Sequence, residues 1–166
     1  MLSRSTLTGA TPPRVPSPPR PAFGRILIAL NGGPTDAAIV RLVAEVGRPM
    51  KAELIAVHVV EINWTLPLDA DIARSSEPAQ RILDQAEGIA EEVKVPLETV
   101  LLQARDVGAA LVDEAVERAA DLVVLGLPYR KRFGGDFAMG RTIPYVLKNA
   151  PCAVWVLRDP MPEEAA

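Results

Sequence analysis

Short apolar runs recur along the chain, each bounded by glycine, proline or polar turn residues. Runs with such boundaries are typical of strands that are buried on both faces of a sheet. They predict five strands, at positions 26–30, 54–60, 97–102, 122–125 and 153–157.

Between these runs, apolar residues recur at the three- and four-residue spacing of an amphipathic helix. Pro34 and Thr35 begin the first predicted helix, which continues to about Val46. Asp106 is placed to cap the third helix. The second helix has the clearest apolar stripe, formed by Ile82, Ala86, Ile89, Ala90 and Val93. The alternation predicts an α/β fold: a single doubly wound sheet of five parallel strands, with right-handed crossovers and helices on both faces.

The strand order of such a sheet determines where a ligand would bind. Sheets of this class bind ligands beyond the carboxyl ends of the strands, where the winding direction reverses. With the order 3-2-1-4-5, this point lies between the first and fourth strands. Both strands are followed by glycine-rich turns, Asn31-Gly32-Gly33 and the segment from Gly126 to Gly140. We therefore expect the two turns to form one crevice.

The second turn has the composition of a phosphate-binding loop. It combines glycines with three consecutive cations, Arg130, Lys131 and Arg132, and continues into a predicted helix. Glycines let backbone N–H groups approach an anion, and the helix start adds unpaired donors and a positive dipole end. The alternative is an ordinary strand-to-helix connection, in which the glycines only form turns and the cations face solvent. Thr142 can cap the helix in either case.

Composition and charge indicate a globular domain and argue against nucleic-acid binding and membrane insertion. The chain has 166 residues, of which 49% are hydrophobic and 23% charged, as in an ordinary globular domain. The net charge of −3 gives no general affinity for nucleic acid, and no apolar run is long enough for direct membrane insertion. The single cysteine, Cys152, rules out an intrachain disulfide and suits a cytoplasmic location.

The two ends of the chain differ from the rest in composition. Residues 1–22 are rich in proline and arginine and lack the apolar segment of a signal peptide. We expect them to form a disordered arm. Residues 159–166 are expected to form a frayed acidic tail, which leaves the folded α/β domain at 24–158.

Several local patterns resemble the universal stress protein family over residues 24–158. The family's glycine loop, G-x2-G-x9-G-[S/T], is similar to the segment from Gly126 to Gly140. Its last-strand entry is similar to Ala150-Pro-Cys-Ala-Val154, and its second strand to Val57-His-Val-Val60. The resemblance implies that adenosine contacts Asn31 and Val59. It also implies that phosphates contact Gly126, Gly140, Arg141 and Thr142.

The chain departs from the family pattern at several binding positions. Tyr129 replaces the middle glycine, Arg141 stands where a small hydroxyl residue is expected, and Asn31 stands where an acid is expected. The loop is also one residue longer. The Tyr129 ring is suited either to stacking on a base or to filling the crevice. The amino-acid sequence around Gly134 and Gly135 is similar to that of stress-protein domains appended to membrane transporters.

The residues and the resemblance together predict a non-catalytic adenine-nucleotide-binding module with a regulatory or stress-response role. The ligand would be ATP or AMP, and a divalent cation would bind only through the nucleotide. The predicted contacts are Asn31, Gly32, Val59, Gly126, Tyr129, Gly140, Arg141 and Thr142. No nucleophile stands beside a general base in any recognisable motif, so we expect at most slow ATP turnover.

Two alternatives stay open at this point. Family members with a degraded loop bind no nucleotide, so the chain can also be interpreted as a nucleotide-free dimeric interaction module. A minor alternative is an ATP-dependent adenylating enzyme, because Asn31-Gly-Gly-Pro-Thr-Asp36 faintly resembles the pyrophosphate loop of that class.

The last predicted strand is expected to mediate self-association. Residues Ala153 to Leu157 lie at the edge of the predicted sheet, and an apolar edge is unfavourable unless something covers it. Family members often dimerise through this strand, so the resemblance implies a homodimer. A protein or a transporter is the other expected partner.

Overall fold

The computed structural model describes residues 23–67, 76–130, 139–161 and 163 of the chain. The predicted arm at 1–22, half of the predicted tail, and the loop residues Lys131, Arg132, Gly134 and Gly135 lie outside the described residues. The strands are β1 (Arg25–Leu30), β2 (Glu53–Glu61), β3 (Leu97–Ala104), β4 (Leu122–Leu127) and β5 (Ala153–Arg158). The helices are α1 (Thr35–Gly47), α2 (Glu77–Glu92), α3 (Val107–Glu117) and α4 (Thr142–Asn149), and a 3₁₀ turn at Arg48–Met50 follows α1.

The strands of the described residues form one parallel sheet in the order β3-β2-β1-β4-β5. The predicted fold class and strand order are therefore confirmed. The register aligns Leu30 of β1 with His58 of β2, and Ala29 of β1 with Leu125 of β4. The carboxyl ends of β1 and β4 thus lie side by side, at the point where the winding direction reverses.

The central strand β1 separates two apolar layers. Ile26 and Ile28 pack with residues of α1 and α2, whereas Leu27 packs with residues of α3 and α4. All three side chains are completely buried, at 0% exposure. Alternate residues of a strand point to opposite faces, so a strand covered by helices on both sides needs apolar residues at every position. The unbroken apolar run at 26–30 reflects this requirement.

The helix starts agree with the predictions except at α4. Asp106 caps α3 as expected, since its carboxylate accepts the N–H of Ala109 at 2.8 Å. Helix α4 begins at Thr142 and has Arg141 in the N-cap position, with no side chain bonded to its first amides. The expectation that Thr142 caps this helix is wrong, because Thr142 already belongs to the first helical turn. The first N–H groups of α4 therefore lack a capping side chain.

Candidate functional site

A cavity of about 440 Å³ lies at the carboxyl edge of the sheet, between the ends of β1 and β4. Helices α3 and α4 close it on one face of the sheet, which is the face that carries Leu27. Its volume is within the range of small-molecule sites in proteins. It is lined by Ala29, Leu30, Asn31, Val107, Leu111, Leu125, Gly126, Leu127, Pro128, Arg130, Met139, Gly140, Arg141, Thr142 and Ile143.

The structure brings five of the predicted site residues together in this cavity: Asn31, Gly126, Gly140, Arg141 and Thr142. They come from both glycine-rich turns, which are separated by most of the chain length. Each turn follows one of the two adjacent strands at the reversal point. The crevice expected from the strand order is thus a real concavity of the fold.

Three predicted site residues lie outside the cavity lining. Gly32 faces helix α2, where an added Cβ would lie 2.8 Å from Cδ1 of Ile82, on the opposite face of the sheet. Val59 is buried in the core beneath α3 and α4. The Tyr129 ring packs under the guanidinium of Arg158, 5.3 Å from the ring centroid. Tyr129 therefore does not fill the cavity.

The apolar floor of the cavity is the part that sequence reasoning missed. Val107 and Leu111 come from α3, and Ile143 comes from α4. These residues follow the helical period, so the sequence pattern indicated only that they face the core. The available signal was that Val107 and Ile143 lie at the amino ends of two helices, because those ends meet the carboxyl edge of the sheet.

The backbone of the first turn is already hydrogen-bonded internally. The carboxylate of Asp36 accepts the N–H of Asn31 at 3.2 Å and that of Gly32 at 2.8 Å. The side-chain oxygen of Asn31 accepts the N–H of Gly33 at 2.7 Å. These three amides are therefore not available to an anion. Asn31 nevertheless remains one of the residues that line the cavity.

The Asp36 carboxyl is expected to lower the free energy of unfolding as the pH rises. An acid held in an ion pair has the opposite effect. Burial raises its pKa above the ordinary value of 3.8, although the two N–H donors and the charge of His58 oppose the effect. The folded state then binds this proton more tightly than the unfolded chain does. The stabilisation that Asp36 contributes is fully present below its ordinary pKa of 3.8, which applies to the unfolded chain. It is lost as the pH rises through the pKa of the folded state.

Carbon-13 NMR of the Asp36 carboxyl during a pH titration measures this directly. We expect a midpoint above 3.8, and Asp36→Asn should remove the corresponding pH dependence from the free energy of unfolding. A midpoint at or below 3.8 would contradict the burial argument.

Gly126 allows β4 to lie close to the start of α1. An added Cβ would lie 2.7 Å from Cδ1 of Ile39 and 3.2 Å from Cβ of Thr35, and both of these residues are buried. The Thr35 hydroxyl in turn donates to Asp159 at 2.8 Å, just after β5. Gly126 therefore has a packing role in addition to its place in the cavity wall.

Two cations line the cavity and differ in their pairing. Arg141 forms an ion pair with Glu61, the last residue of β2, whereas Arg130 forms no ion pair with any described residue. Strands β2 and β4 flank β1, and Arg141 is the N-cap residue of the helix that follows β4. The Glu61–Arg141 pair therefore connects the end of β2 to the start of α4 across the end of β1.

The remaining reactive groups have structural partners or are shielded. Nδ1 of His58 lies 2.9 Å from the carbonyl oxygen of Leu30, which ties β2 to β1. Burial raises the pKa of the Cys152 thiol, so it is a poor nucleophile. Across the described ranges, no group of three or more His, Cys, Asp or Glu side chains could hold a metal ion. Nor does this part of the chain contain a helix long and apolar enough to cross a membrane.

Comparison with known proteins agrees with this architecture. The sequence model of the universal stress protein family matches residues 22–158. A solved structure from that family, from Burkholderia pseudomallei, is 26% identical with a TM-score of 0.62, and the match covers 84% of this chain and 98% of that one. No curated protein sequence matches the chain.

Two further solved structures contain a bound nucleotide. The universal stress protein from Archaeoglobus fulgidus in complex with dAMP is 22% identical, with a TM-score of 0.62 and coverage of 81% of this chain and 98% of that one. A universal stress protein in complex with cAMP is 18% identical, with a TM-score of 0.62 and coverage of 83% and 98%. The family match extends over most of the chain, and the sheet has the predicted strand order. The chain therefore belongs to the universal stress protein family.

Proposed function

We propose that this protein is a non-catalytic adenine-nucleotide-binding module with a regulatory or stress-response role. The observation that carries the proposal is the cavity between β1 and β4, because it combines an apolar floor with a basic rim. Such a combination suits a ligand that has an aromatic base at one end and a phosphate at the other. The complexes of family members with dAMP and cAMP support the same ligand class.

Each part of the ligand has a matching part of the cavity. The base would lie on Val107, Leu111 and Ile143, which supply apolar contact area. The phosphate would lie near Arg130 and the first amides of α4, where uncapped N–H groups and the helix dipole favour an anion. A divalent cation would enter only with the phosphate.

Ligand release and thermal shift test the proposal. The purified protein is denatured and the released small molecules are chromatographed, and the native protein is melted with and without AMP, cAMP or ATP. A stoichiometric adenine nucleotide, or a concentration-dependent rise in melting temperature, supports binding. An empty chromatogram together with no shift for any of the three would overturn it. Release of pyrophosphate from ATP would instead favour an adenylating enzyme.

The edge strand β5 favours a second role, self-association. Trp155 and Val156 of this strand are 37% and 36% exposed, although the Phe23 ring packs edge-on against Trp155 at 5.4 Å between centroids. An exposed apolar edge strand is a template for pairing with another chain. We propose that β5 pairs with β5 of a second copy to form a homodimer, whether or not a nucleotide is bound.

Charge introduced on β5 is expected to dissociate this dimer. Val156→Lys would place an ammonium group in the apolar interface and should convert the wild-type dimer to a monomer that retains its far-UV circular dichroism. Light scattering coupled to size-exclusion chromatography measures the mass. The matched control is Val116→Lys, because Val116 is exposed on α3 and away from the edge. A monomeric wild-type protein would contradict the dimer.

A further inference from the structure

Arg141 is held by a carboxylate in the position where the resemblance implies a phosphate contact. Its guanidinium forms an ion pair with Glu61, although both side chains are substantially exposed, at 70% and 49%. The residue after the loop's last glycine is thus a cation whose charge is already neutralised within the protein. A ligand phosphate that contacts Arg141 must therefore share its guanidinium with the Glu61 carboxylate.

The described residues of the cavity offer little further positive charge to a ligand. Among the described residues that line the cavity, Arg130 is the cation that forms no ion pair with another described residue. The first turn adds no amides, because those of Asn31 and Gly32 are bonded to Asp36. Within the described part of the cavity, one cation without a described ion-pair partner and one helix N-terminus match a single phosphate group. Further phosphates near Arg141 would meet the negative charge of the Glu61 carboxylate.

We propose that Glu61 makes the cavity selective for adenine nucleotides that carry a single phosphate group, and disfavours ATP and ADP. Glu61 does this by competing with additional phosphates for Arg141 and by repelling them. This inference rests on the proposed nucleotide-binding function. It concerns the specificity of the site and not the identity of the base.

Calorimetric titration with adenosine, AMP, ADP and ATP, without divalent metal and at fixed ionic strength, tests this selectivity. Wild-type protein is expected to bind AMP more tightly than ATP. Glu61→Gln removes the competing charge and should raise the affinity for ATP by about threefold to fivefold, as expected for an exposed ion pair. The affinity for adenosine should not change, because adenosine has no phosphate.

Two further variants control the interpretation. Glu53→Gln breaks a similar exposed ion pair, to Arg25 at 2.7 Å, near the amino end of the sheet, and should leave all four affinities unchanged. Glu61→Gln is also made in the background of Arg141→Gln. Its effect on ATP affinity should there differ from its effect in the wild-type background, because the two residues act as a pair.

The outcomes separate this inference from the proposed function. If neither wild type nor any variant binds AMP or ATP, the nucleotide site itself is wrong. If wild type binds nucleotide but the ratio of ATP to AMP affinity is the same in Glu61→Gln, only the selectivity role of Glu61 is overturned. A wild-type protein that prefers ATP over AMP without metal would overturn it as well.

Discussion

Gly126→Ala is expected to lower the free energy of unfolding by about 1–3 kcal/mol, which is the usual cost of overpacking a core. The new methyl group would lie 2.7 Å from Cδ1 of Ile39 and 3.2 Å from Cβ of Thr35. Both neighbours are constrained, because Ile39 is completely buried and Thr35 is bonded to Asp159. Either the Ile39 side chain must repack, or β4 and the start of α1 must move apart.

Urea denaturation measures this loss, and Gly88→Ala is its matched control. Gly88 lies within α2, and an added Cβ there would meet no atom of the described part of the chain within 4 Å. Alanine is the better helix former by about 0.5–1 kcal/mol, so the control should be stabilised. Equal stability of Gly126→Ala and wild type would show that β4 and α1 do not pack as closely as the structure indicates.

The second large effect is expected at Gly140, where substitution should abolish nucleotide binding while the fold is retained. Gly140 has a φ of +72°, and an added Cβ would meet no atom of a described residue within 4 Å. Gly140 lines the cavity beside the start of α4, so we expect the branched side chain of Gly140→Val to obstruct the approach of a ligand. Left-handed backbone also costs a non-glycine residue roughly 1–2 kcal/mol. We expect affinity for AMP to fall by at least about tenfold, equivalent to about 1.4 kcal/mol.

A comparison of side-chain sizes separates blocking from backbone strain. Gly140→Ala introduces positive-φ strain with a smaller side chain, so it should reduce AMP affinity less than Gly140→Val does. Circular dichroism and the melting temperature of each variant confirm that the domain is folded at the temperature of the titration. Unchanged affinity in both variants would remove Gly140 from the binding site.

The glycine-rich turns illustrate how far local sequence information extends. The apolar runs before Asn31 and Gly126 predict buried strands, and the strand order then predicts that the two turns meet. The sequence did not indicate that the amides of the first turn are occupied, because this depends on how Asp36 of the following helix turns back onto them. The position of Tyr129 was also undetermined, since its contact, Arg158, belongs to the last strand.

The sequence by itself determined the elements, the parallel sheet and the general position of the crevice. These features follow from apolar periodicity and from turn residues, which act between near neighbours in the chain. Only the tertiary structure decided which side chains form the cavity and how its charges are paired. Glu61 and Arg141 are 80 positions apart, and Thr35 and Asp159 are 124 apart. Such pairs form only when the two residues are close in space. The packing of the helices against the sheet sets those distances, and no local sequence pattern determines them.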